Sequence, residues 1–112
     1  MLVSVRGRFQ VNGGSDLDET TDQIMNALLR FESLDPAVSD SDVSAELAPR
    51  LVTISVVVEA DSWELGNERG RATIRAAIEA TNGHVADPPE VQNDTASFRF
   101  VTQAESAELV PA

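Results

Sequence analysis

The stretch Arg50-Leu51-Val52-Thr53-Ile54-Ser55-Val56-Val57-Val58-Glu59-Ala60 decides the fold. Val52, Ile54, Val56, Val58 and Ala60 share one parity; Thr53, Ser55, Val57 and Glu59 share the other. Alternation with period two over this length marks a strand with one face in a core. Just upstream, Val43, Ala45 and Leu47 alternate with Ser44 and Glu46, and Ala48-Pro49 turns that short strand into the long one. The two runs predict a β-hairpin. Ser33 to Asp42, with its Asp-Pro step, reads as a loop. Just downstream, Asp61 or Ser62 caps a helix whose stripe is Trp63, Gly66, Gly70, Ile74, Ala77 and Ile78. Asn82-Gly83 stops that helix.

The same grammar appears at the start of the chain. From Leu2 to Val11, Val3, Val5, Phe9 and Val11 face one way and Ser4, Arg6, Arg8 and Gln10 the other. Gly7 falls on the buried side, where it admits a helix closely or marks a bulge. Asn12-Gly13-Gly14 ends the strand. A helix follows from about Asp16 to Glu32, carried by Leu17, Thr21, Ile24, Leu28 and Phe31. Its first turns hold Asp16, Asp18, Glu19 and Asp22, where the helix dipole favours acids. Near the end, Asp87-Pro88-Pro89 is a loop. Thr95 to Gln103 is the last strand, with Phe98 and Phe100 inward and Arg99 and Val101 outward.

The order β-α-β-β-α-β predicts an α+β, ferredoxin-like fold. Its sheet is four-stranded and antiparallel, in the order 4-1-3-2, with two helices on one face. Residues 1–103 form the single domain; residues 104–112 are expected to be a flexible acidic tail.

Composition narrows the chemistry. The chain has 112 residues, nineteen acids, eight arginines, no lysine, no cysteine, no tyrosine and one histidine, with a formal net charge of −11. That charge repels phosphate backbones and anionic lipid, so neither nucleic acid nor membrane is expected as a partner. Without cysteine there is no disulfide, thiolate nucleophile or Cys-ligated metal. The opening residues alternate rather than forming a secretory leader, and no apolar run spans a membrane. A cytoplasmic location is expected.

No catalytic constellation emerges. Gly13-Gly14 precedes a helix, but no phosphate-binding glycine motif is present and the helix that follows is acidic. Asp40, Asp42, Ser44 and Glu46 alternate as oxygen ligands for a divalent cation could, yet they lack the central glycine and closing glutamate of a calcium loop. Charged residues on an edge strand explain them better. Gly66-x-x-x-Gly70 reads as close packing of a helix on the sheet rather than as a dimer seam. His84 lacks the second histidine of any helical metal motif. As a base it would need Asp87 or Glu90 to orient it. Trp63, at a helix start, reads as a core anchor. No cofactor, metal or catalytic residue is therefore assigned.

The helix-free sheet face is the candidate binding surface. Arg6 and Arg8 on the first strand are expected beside Arg99 on the last, with Thr53, Ser55, Val57 and Glu59 of the third strand completing a mixed face. RNA-binding sheets of this topology stack bases on outward aromatics; here Phe9, Phe98 and Phe100 have inward parity. Self-pairing across a two-fold axis, Arg6 or Arg8 meeting Glu59 or Glu46 of a second copy, is one reading. A solvated face on a monomer is the other. The expected function is a non-enzymatic binding or regulatory module acting through this face as a homodimer. The alternative is an enzyme or small-ligand sensor of the dimeric α/β-barrel kind, with a pocket between sheet and helices near His84 and Trp63.

Leu34-Asp35-Pro36-Ala37-Val38, the strand Leu51–Ala60 and the helix Arg69–Gly83 together resemble small uncharacterised actinobacterial or actinophage proteins. The resemblance covers the middle half of the chain. It implies a GC-rich coding origin and carries no functional residues.

Overall fold

The structure, a computed structural model, describes residues 1–13, 16–48, 50–81, 83–86 and 98–110. The chain runs β1 (Leu2–Gly13), α1 (Leu17–Leu34), β2 (Val38–Glu46), β3 (Leu51–Glu59), α2 (Trp63–Glu79), β4 (Gly83–Ala86) and β5 (Phe98–Leu109). The sheet order is β2-β3-β1-β5-β4. The four long strands are antiparallel and stand in the expected ferredoxin-like order. β4 is an addition: a four-residue strand parallel to β5 that makes the sheet five-stranded. Gly-His-Val-Ala is too short to show a period of its own.

Parity decides the core. Val3, Val5, Phe9 and Val11 of β1 and Val52, Ile54, Val56 and Val58 of β3 are buried together with Ile24 and Leu28 of α1 and Ile74, Ala77 and Ile78 of α2. Phe9 and Phe100 meet edge to face, with ring centroids 6.1 Å apart. Both helices are capped as their sequences suggest. Asp16 accepts from the Glu19 N–H at 3.0 Å, and Ser62 from the Leu65 N–H at 3.2 Å.

The glycine pair in α2 is a packing device. A Cβ on Gly66 would come within 2.7 Å of the Val3 Cβ, and one on Gly70 within 2.6 Å of the Val5 Cβ. Four helical residues rise about 6 Å and two strand residues about 6.6 Å, so the two spacings match and α2 lies directly along β1. Gly7 has a different role from the helix approach the sequence suggests. A Cβ there would strike the Phe9 ring of its own strand at 2.8 Å.

Two strands depart from simple alternation, each by one extra residue. In β2 the register passes from Ser39↔Val57 to Asp42↔Ser55, so Asp40 and Ser41 together oppose Val56. Asp40 takes the left-handed conformation, φ 49°. The Glu32 carboxylate accepts from the Ser41 N–H at 3.1 Å and ties the bulge to α1. β2 therefore begins at Val38, inside the segment expected to be a loop. In β5 the register passes from Phe9↔Thr102 to Arg8↔Ala104, which leaves Gln103 unpaired.

Beyond that second bulge, β5 continues to pair with β1 as far as Val3↔Leu109. This corrects the flexible tail expected for residues 104–112. Ala104 to Leu109 are sheet, and the Val110 N–H still donates to the Leu2 carbonyl at 2.9 Å. Small and acidic side chains gave no apolar alternation there, but the unpaired edge of β1 supplies backbone partners that do not depend on side-chain type.

Candidate functional site

Among the described residues, no helix covers the outward face of the sheet. β1 turns Ser4, Arg6, Arg8 and Gln10 to it, and the burial pattern alternates accordingly. β3 presents Leu51, Thr53, Ser55, Val57 and Glu59, of which only Glu59 is fully exposed. The β2 bulge restores alternation so that Val43 and Ala45 point inward and Asp42, Ser44 and Glu46 outward. On β5, the residues opposite the outward β1 positions are Val101, Ala104, Ser106 and Glu108.

Cross-strand register arranges these residues in rungs. Asp42, Ser55, Arg6 and Ser106 share one rung; Ser44, Thr53, Arg8 and Ala104 share the next. Arg6 and Arg8 are exposed, flanked on both sides by small or hydroxylated neighbours. Neither side chain makes an ion pair or hydrogen bond among the described residues. In a chain with net charge −11, two adjacent cations without an acid partner stand out.

Arg99 is not their neighbour. It opposes Asn12, four residues along β1 from Arg8, which is roughly 13 Å. The three arginines share a face but not a patch. The extension of β5 and its bulge move the register, and neither could be read from spacing. The cation pair is Arg6 and Arg8 alone, with Thr53 and Ser55 beside them, Val57 one rung further, and Glu59 at the end of β3 opposite Leu2.

The pocket residues of the alternative reading separate. Trp63 is 38% exposed rather than anchored in the core. Its indole N–H donates to the Ala107 carbonyl at 3.3 Å, holding it against β5. His84 sits in β4 with its backbone opposite Arg99. Asp87 and Glu90 lie outside the described residues.

Two polar residues of β5 stand at inward register positions, Thr102 opposite Phe9 and the charged Glu105. Glu105 pairs with Gly7, an inward position, and accepts from Arg71 Nη2 at 2.8 Å; Arg75 Nη2 lies 4.0 Å away. The bulge at Gln103 puts it there. A cleft of about 370 Å³ opens along the same flank of α2, lined by Trp63, Asn67, Arg71 and Arg75 among others. Among the described residues no three acids or histidines gather as a metal site, and no helix is long and apolar enough to cross a membrane.

This topology, two helices on one face of an antiparallel β2-β3-β1-β5 sheet, defines a ferredoxin-like α+β domain. No known family model matches the chain, and no curated protein is similar to it in sequence. Solved structures align with the chain. One is described as a "putative Antibiotic biosynthesis monooxygenase" from Chloroflexus aurantiacus J-10-fl. It aligns over 100% of this chain and 95% of its own at 12% identity, with a TM-score of 0.52. A second, a de novo designed protein with ferredoxin fold, aligns over 73% of this chain and 70% of its own at 14% identity, with a TM-score of 0.46.

Proposed function

We propose that this domain is a non-enzymatic binding module that acts through its outward sheet face as a homodimer. The observation that carries the reading is the pair Arg6 and Arg8: exposed, neighbouring on one face and, among the described residues, without an ion pair or a covering helix, in an acidic protein. Desolvated arginine–carboxylate contacts across a two-fold axis would answer that imbalance. The half-buried Leu51, Val57 and Val101 add apolar area to the same face.

The test is molar mass by light scattering on a sizing column, at moderate and high salt. The expected result is a dimer weakened by salt, and a monomer for Arg6→Glu with Arg8→Glu. A wild-type monomer at both salts, or a variant that still dimerises, overturns the proposal.

The second reading, an enzyme or small-ligand sensor of the dimeric α/β-barrel type, draws on one observation: Glu105 turned toward the helix layer beside the cleft of Trp63 and Arg75. The monooxygenase description belongs to a protein 12% identical, which bears on fold alone. Two features weigh against this reading. Glu105 is already engaged by Arg71, and α2 lies on Val3 and Val5 without room for an added methyl group.

A further inference from the structure

The outward face carries its charges in stripes. β1 presents Arg6 and Arg8; β2, the edge strand, presents Asp42 and Glu46; β3 lies between them, uncharged at Leu51, Thr53, Ser55 and Val57 and charged only at its end, at Glu59. Asp42 and Glu46 are exposed and make no ion pair among the described residues. Arg6 and Asp42 stand on one rung, but two strand spacings, about 10 Å, separate them, too far for direct contact within the chain.

A positive, a neutral and a negative stripe in that order are self-complementary. Resting on the homodimer reading above, we propose that the partner is a second copy related by a two-fold axis running along β3. This axis stacks β3 on β3 and lays β1 over the partner's β2. Arg6 then faces the partner's Asp42. Arg8 faces the partner's Ser44, one position along the strand face from both acids. Gln10 faces the partner's Glu46. Two sheets packed face to face lie about 10 Å apart, a gap that an extended arginine and an aspartate bridge together. The contacts near the middle of β3 survive the roughly 30° rotation of aligned sheet packing best. Arg6 and Asp42 share the rung of Ser55, the midpoint of β3. Glu59, at the end of β3, then plays no part in the ion pairing.

The experiment uses two charge-reversed chains: Arg6→Glu with Arg8→Glu, and Asp42→Arg with Glu46→Arg. Each alone sets like charges against each other at both symmetry-related contacts. Mixed one to one, they set opposite charges together at both. The expected result is single-chain mass for each variant by light scattering and a return to twice that mass in the mixture. Circular dichroism and thermal unfolding check that each variant is folded. If a double reversal disturbs the fold, Arg6→Glu and Asp42→Arg alone read the same pattern. An acid-reversed chain that still dimerises, beside an arginine-reversed chain that does not, overturns this pairing and leaves the sheet-face dimer standing. A mixture that stays monomeric also overturns the pairing. Dimers from both variants, or a monomeric wild type, overturn the underlying reading as well.

Discussion

Glu105 of β5 accepts a hydrogen bond from Arg71 of α2 at 2.8 Å across 34 residues of sequence. The Glu105 side chain is 16% exposed and that of Arg71 44%, so one partner is largely enclosed and the other reaches water. Together with the Trp63 indole bond to Ala107, it fastens the last strand to the second helix. Glu105→Ala leaves Arg71 free to hydrate, so the cost is that of one ion pair, about 1 kcal/mol. For a domain of this length that is a fall of about 4 °C in Tm. An unchanged Tm would mean that water serves Arg71 as well as the carboxylate does.

Removing residues 104–112 is a much larger change. It strips β1 of the partners from Arg8↔Ala104 to Val3↔Leu109 and takes away the Trp63 acceptor. The truncated chain is expected to lose cooperative unfolding. The single tryptophan provides a local probe, since its emission should shift to longer wavelength once Ala107 is gone. A truncated chain with native Tm and emission would restore the view of this segment as a dispensable tail.

That segment shows where sequence reading stops. The buried faces of β1, β3, α1 and α2 are legible because apolar residues repeat at two or at three and four. Ala104-Glu105-Ser106-Ala107-Glu108 has no such contrast, and what orders it is the backbone edge of β1. The candidate face was legible as a set of outward residues but not as a patch. Arg6 and Arg8 are neighbours by parity alone, whereas the distance from Arg8 to Arg99 depends on a register that the Gln103 bulge resets. Trp63 looked like an anchor because it falls on the stripe of α2; at the first residue of the helix it lies beside β5 rather than beneath the helix.

Gly70→Ala tests how closely α2 lies on β1. Alanine raises intrinsic helix propensity by about 1 kcal/mol. Here the added methyl meets the Val5 side chain, and the strain of overpacking, about 1–3 kcal/mol, outweighs that gain. Net destabilisation in urea unfolding is expected, with Gly66→Ala behaving alike through Val3. A more stable Gly70→Ala would show that the helix can lift from the sheet without cost.

Ser41→Ala should act in the opposite direction. The Ser41 hydroxyl is buried without a hydrogen-bond partner among the described residues, while its backbone N–H is held by Glu32. Deleting the hydroxyl removes a desolvated polar atom and keeps the backbone bond, for a gain of about 1 kcal/mol. A loss of stability in urea unfolding would reveal a partner for that oxygen.

The two bulges decide where these strands can tolerate a change in length. Each is a phase slip between strand and sheet, so losing its extra residue would make the alternation regular and leave every later pairing in place. Losing a regularly paired residue instead forces a one-residue slip that exchanges the faces. Excision of Gln103 would leave Thr102 opposite Phe9 and Ala104 opposite Arg8, and so keep Glu105 on the side of α2 and Ser106 and Glu108 on the outward face. Excision of Asp40 would leave Ser41 alone opposite Val56, with Val43 and Ala45 still inward and Asp42 and Glu46 still outward. These are places where the chain can lose a codon and still keep the same side chains on each face of the sheet.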